Sequence, residues 1–145
     1  MKNTIKVFVL VALTLAAMSV SAQVKLGHIE TQKLIQAMPE WTAAQKTFEE
    51  EQKKVNTELN GLREQFQTKL AEYSEKMKTY SEAMRATTEE ELQGLQQRIQ
   101  RFQETAMAQL EKTHNDLMQP VMEKALNAIK EVGKENGFTY IFDMN

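Results

Sequence analysis

Two histidines, a run of three acids and one Gly-Lys pair are the side chains best suited to chemistry in this chain. A histidine can ligate a metal or move a proton near neutral pH. Protein metal sites need three or four converging ligands, however. His28 falls in an alternating, strand-like stretch and His114 in a helical one, so the spacing does not pair them. His28 reads as structural or surface, and His114 falls on or beside an apolar stripe. The chain has no cysteine, which excludes disulfides, Cys-ligated zinc and thiol chemistry. Glu49-Glu50-Glu51 reads as a solvated face rather than a paired general acid and base. Gly133-Lys134 would close a phosphate loop only if a glycine stood at position 128, where the sequence has Ala128. No catalytic residue, cofactor-binding residue or metal ligand is assigned, and the chain does not read as an enzyme.

The elements that would carry any function are two long amphipathic helical patterns. In the first, the apolar positions are Trp41, Ala44, Phe48, Val55, Leu59, Leu62, Phe66, Leu70, Tyr73, Met77, Tyr80 and Met84. Their steps make a heptad seam with one stutter, from Phe66 to Leu70. In the second, Leu92, Leu95, Ile99, Phe102, Ala106 and Leu110 continue the spacing, and Leu117, Val121, Ala125, Ala128 and Val132 complete it. The residues between are mostly Glu, Gln, Lys and Thr, so each helix has one narrow apolar stripe and a broad wet face. The reversal is expected at Ala86-Thr87-Thr88, because Thr88-Glu89-Glu90-Glu91 has the form of a capping box. This makes two nearly equal arms of about 45 residues, about 65–70 Å long. Gly61 then falls opposite His114-Asn115-Asp116, near Pro120, and the two weak points suggest a hinge at Gly61 and Pro120. Gly94 falls opposite Tyr80, where a small residue leaves room for a ring. Lys76, Lys78, Arg98 and Arg101 fall at one height, as a solvated basic face.

The ends read differently. Residues 1–22 have the form of a cleaved secretory signal: Lys2 and Lys6, an apolar run over 7–20, then Val20-Ser21-Ala22. The apolar run is shorter than the roughly 20 residues that span a bilayer. The mature chain is expected to begin at Gln23, outside the inner membrane, with no stable membrane anchor. Residues 24–29 read as a short strand and 30–38 as a short helix, and Pro39 suits the first turn of the next helix. Gly137 fits the left-handed position that stops a helix, and 138–143 is a second strand, aromatic and β-branched. The expected organisation is one domain over 23–145, with a β base from 23–40 and 137–145 and a helical arm over 41–136. Two short strands do not form a stable sheet alone. The base therefore implies oligomerisation through Val24, Leu26, Ile29, Phe138, Tyr140, Ile141 and Phe142. A content of 41% apolar and 7% aromatic residues suits a protein whose buried surface is mostly seam. The formal charge of −2, which falls to −4 once Lys2 and Lys6 are removed, argues against a nucleic-acid partner.

The opening VKLGHIETQKLIQAMPE and the close LMQPVMEKALNAIKEVGKENGFTYIFDMN, with the charged helical pair between, resemble the Skp-type periplasmic chaperones, the OmpH-like family. That resemblance implies a mainly α fold with a small β base: a long antiparallel coiled-coil hairpin projecting from an intersubunit β-barrel. It implies a homotrimer whose arms enclose unfolded outer-membrane or secreted polypeptides without nucleotide, in the periplasm. Tyr73, Met77, Tyr80, Met84 and Phe102 would then offer flexible, amphipathic client contacts, although their spacing is also that of the seam. Family members usually continue past the strand that ends here at Asp143 and are basic, so either a smaller base or a truncated sequence is expected. No lipopolysaccharide site is carried over. The competing expectation is a structural or adaptor coiled coil of the cell envelope.

Overall fold

A computed structural model describes residues 24–144; the predicted signal segment lies outside them. The elements are β1 (Leu26–Ile29), α1 (Thr31–Ala37), α2 (Pro39–Lys76), α3 (Glu82–Glu135) and β2 (Tyr140–Asp143). The mainly helical content with a small sheet is as expected from the apolar periodicities. β1 and β2 pair in parallel, with Leu26 beside Tyr140 and Ile29 beside Asp143. A parallel pair needs a crossover between its strands, and here the whole helical portion of the chain is that crossover. The ladder is lengthened at both ends, where the Thr139 amide donates to the Lys25 carbonyl at 2.7 Å and the Met144 amide to that of Ile29 at 2.8 Å.

Local chemistry sets the element boundaries. Met38 is extended (φ −77°, ψ 135°), as the residue before a proline must be, and this separates α1 from α2. Pro39 occupies the first turn of α2, where its missing amide costs nothing. The exposed start of α1 has no cap from Glu30; instead the Asp143 carboxylate accepts from the Thr31 amide at 3.3 Å. The end of β2 thereby caps the helix that follows β1. At the far end of α3, Gly137 takes a φ of 67°, the left-handed turn that a side chain would disfavour.

The reversal between the long helices lies at residues 77–81, not at Ala86-Thr87-Thr88. Ser81 is the N-cap of α3 and its hydroxyl accepts from the Met84 amide at 3.3 Å. Thr87 and Thr88 sit inside the helix and donate their hydroxyls to the carbonyls of Ala83 (3.0 Å) and Met84 (2.8 Å). A threonine can bond back to the preceding turn as readily as it caps a helix, so the capping signature there was not decisive. The long helices are consequently unequal: 38 residues in α2 and 54 in α3, about 57 and 81 Å. They lie antiparallel, tied by Tyr73–Glu89 and Lys69–Glu91 near the turn and by Glu40–Lys124 near the base. Between these, the Phe48 and His114 rings meet edge to face at 5.2 Å. The buried side chains are Ala44, Leu62, Leu92, Ala106, Val121 and Ala125, all on the predicted stripes. α3 runs through Pro120 without a break.

Candidate binding surfaces at the base and along the arm

The sheet has two unlike faces, because side chains alternate along a strand. Gly27, Ile29 and Ile141 point inward, toward α1 and α3. Phe138 lies against Gly27 so closely that a Cβ there would meet its ring at 3.0 Å, and Ile141 approaches Gly133 to 2.9 Å of the same construction. The Lys25 ammonium stands 4.3 Å from the centre of the Phe138 ring and donates to the Asn136 carbonyl at 2.8 Å, which fastens β1 to the end of α3. The opposite face is open: Val24, Leu26, Tyr140 and Phe142 are all more than half exposed, with the Tyr140 and Phe142 rings 6.4 Å apart. The seven residues expected at the base therefore divide in two. Ile29, Phe138 and Ile141 serve the chain's own packing, whereas Val24, Leu26, Tyr140 and Phe142 are left uncovered by the described residues. On the inner side, Leu34, Ile129, Val132 and Ile141 help line an apolar cavity of about 320 Å³.

Four of the five predicted arm residues come together at the tip. Tyr73 and Tyr80 have ring centres 6.3 Å apart, and Met77 and Met84 flank the turn, both exposed. The Tyr73 hydroxyl donates to the Glu89 carboxylate, and this bond, with desolvation and the nearby negative charge, raises the phenol above its ordinary pKa. The Lys69 ammonium is raised likewise, chiefly by its hydrogen bond to Glu91. Phe102 lies elsewhere, about 20 Å along α3 from Glu89 at 1.5 Å per residue. It shares an apolar groove of about 380 Å³ with Val55, Leu59, Ala106, Met107 and Leu110. Met107, 73% exposed, was not anticipated. It stands one position past the stripe residue Ala106, and an apolar residue at a wet-face position was the signal available in the sequence.

The expected pairing of weak points does not occur. With the register set by Lys69–Glu91 and Phe48–His114, Gly61 shares a cleft with Gly94, Leu95 and Arg98. Pro120 lies between the Phe48–His114 contact and the Glu40–Lys124 pair, about 30 Å nearer the base. Gly61 and Pro120 thus do not stand at one height, as the expected pairing required. Gly94 faces the cleft and not Tyr80, which is in the turn. Nor do the four basic residues share one height: Lys76 pairs with Glu72 at 2.9 Å beside the turn, while Arg98 lines the Gly61 cleft. Each of these corrections follows from moving the turn toward the N-terminus.

His28 lies on β1 beside Phe142 and His114 is in the seam against Phe48, at opposite ends of a long stretch of α3. Among the described residues no three His, Cys, Asp or Glu side chains are grouped to hold a metal, and no helix is long and apolar enough to cross a membrane. What the molecule offers is apolar contact: an open sheet face at one end, a cluster of exposed methionines and half-buried tyrosines at the other, and a groove between. No curated protein matches the chain. The family model described as Outer membrane protein (OmpH-like) matches residues 25–145, which includes every strand and helix described above. The chain belongs to the OmpH-like family, that of the Skp-type periplasmic chaperones.

Proposed function

We propose that the protein is a nucleotide-independent holdase of the periplasm, which binds unfolded outer-membrane or secreted polypeptides and keeps them from aggregating. The observation that carries this reading is the family match over residues 25–145. The distribution of apolar surface supports it. Contact residues are spread along the arm in small groups rather than gathered in one patch, and a single large patch would make the protein itself prone to aggregate. Many weak contacts also permit release without a motor. In this reading residues 1–22 are removed after Ala22 during export, and residues 23–145 act as one chaperone domain. The open sheet faces of three copies close into a barrel, and the long helices hang from it as coiled-coil hairpins around a shared cavity.

The test is suppression of aggregation. A denatured β-barrel protein diluted out of denaturant should stay dispersed in the presence of an equimolar assembly of the mature chain, without nucleotide. A protein that assembles normally but leaves the light scattering of the client unchanged would instead be an adaptor coiled coil of the envelope. Removing the tip and groove, from about residue 52 to 110, which face each other in the register set by Tyr73–Glu89 and Phe48–His114, should abolish retention and leave the number of chains in the assembly unaltered.

A further inference from the structure

All the sulfur in this chain is thioether: it has nine methionines and no cysteine. The methionines differ in access. Along the arm Met107 is 73% exposed, Met84 54% and Met77 39%, whereas Met38 and Met118 are half-buried. Met122 and Met144 are also exposed, but they stand toward the base, away from the groove and the tip. The three exposed arm methionines are not scattered over the wet face at random. Met107 is at the rim of the groove with Val55, Leu59, Phe102 and Leu110. Met77 and Met84 bracket the turn beside the Tyr73 and Tyr80 rings. Unbranched thioethers suit contact with varied partners because they adapt their shape and polarise easily. Those properties and that exposure also make them accessible two-electron reductants.

We propose that Met77, Met84 and Met107 are sulfoxidation sites, through which hypochlorous acid reversibly turns the arm's apolar contacts polar and releases a held polypeptide. The release depends on the holdase reading above; the exposure of the three sulfurs does not. In the reaction the thioether sulfur gives two electrons to the chlorine of HOCl and takes its oxygen. A sulfoxide, a chloride ion and a proton result. Reduction by a dithiol through methionine sulfoxide reductase returns the thioether, with water and a disulfide as products. No thiol on the chain competes for the oxidant. The sulfoxide keeps the side chain's length but adds a strong dipole and an acceptor oxygen. At Met107 that dipole stands at the rim of an apolar groove, and at Met77 and Met84 it stands among the tip aromatics. An apolar client side chain loses contact at all three, while the seam beneath is untouched because its buried members are Ala, Leu and Val.

The test treats the assembled mature protein with substoichiometric hypochlorous acid and follows added oxygen by peptide mass spectrometry. Among the five compared, Met107 and Met84 should convert first and Met77 next, all several-fold ahead of Met38 and Met118. Equal conversion at all five overturns the site assignment. In parallel, protein carried to full sulfoxidation at the three sites with excess oxidant should bind a denatured β-barrel polypeptide about tenfold more weakly, equivalent to ~1.4 kcal/mol. Circular dichroism should be unchanged, and the reductase with a dithiol should restore binding. The M77L/M84L/M107L variant, whatever its untreated affinity, should lose no further binding on treatment. Full binding with the three sites oxidised, or loss of binding accompanied by loss of helix, overturns the release mechanism. An untreated protein that binds no client overturns the holdase reading and the release with it, and the order of conversion then decides the sites alone.

Discussion

Replacing glycine by alanine at four positions should move stability in opposite directions, and the sign follows from what a Cβ would meet. Gly61 and Gly94 lie inside long helices, and a Cβ built at either meets nothing within 4 Å. Neither has a positive φ, so alanine fits the backbone as it stands. Each substitution should therefore gain nearly the full helical preference of alanine over glycine, about 1 kcal/mol. Gly133 is also helical, but its Cβ would come to 2.9 Å from Ile141 Cδ1. Ile141 is held between β1 and α3, so the gain of about 1 kcal/mol is set against an overpacking cost of about 1–3 kcal/mol. Gly27 is the clearest case. Its Cβ would meet two Phe138 ring carbons at 3.0 Å and Ile141 Cγ1 at 3.5 Å. A ring already held beneath Lys25 has little room to withdraw. A net loss of about 1–2 kcal/mol is expected there, the overpacking cost exceeding the smaller strand gain.

The assay is equilibrium urea unfolding of the mature chain, read by circular dichroism at one fixed protein concentration, because self-association would shift the midpoint by mass action. Gly61→Ala and Gly94→Ala should raise the midpoint, and together they should add, since their interior positions share a cleft but no clash. Gly27→Ala should lower it, and Gly133→Ala should fall between. If Gly27→Ala and Gly61→Ala shift the midpoint in the same direction, the packing described for the base is wrong.

Three further outcomes are expected. Ser81→Ala should cost about 1 kcal/mol of stability at the tip through the lost cap, seen as faster hydrogen exchange of the Met84 amide, whereas Thr88→Ala should leave that exchange unchanged; the reverse result would return the turn to 86–88. The Glu40 carboxyl is held below the usual carboxylate range, chiefly by its hydrogen bond from Lys124, so the unfolded chain binds its proton more readily than the folded one. Its contribution is therefore present at neutral pH and lost as pH falls through the folded pKa, and acid titration of Glu40→Gln should lack that component. Finally, Phe142→Asp, on the open sheet face, should dissociate the assembly while helix content persists, whereas Ile141→Asp should disrupt the base within each chain; light scattering and circular dichroism together separate the two, and an undissociated Phe142→Asp protein would remove the open face from the interface.

The order of elements was legible because each boundary has a single strong local cause. Pro39 both begins α2 and forces Met38 to be extended; Gly137 ends the run of α3 by adopting a φ that other residues avoid. The turn was not legible, because two capping candidates compete within a few residues and a cap is worth only about 1 kcal/mol. Ser81 lacks the glutamate three residues on that completes a capping box, so by local signature Thr88 is the better candidate. What decides between them is distant in sequence. Ending α2 at Lys76 lets Glu89 reach Tyr73 and Glu91 reach Lys69, so the acids that looked like first-turn residues serve as partners across the pair. The same shift carries Gly61 away from Pro120 and into a cleft with Gly94. The surface residues were obscured for a related reason. A seam template keeps only positions that fit the stripe, and so it includes Met77 and Met84, which are exposed, and passes over Met107, the most exposed of the large apolar side chains described. In a molecule made largely of one narrow seam, an apolar residue that misfits the stripe says more about external contact than one that fits it.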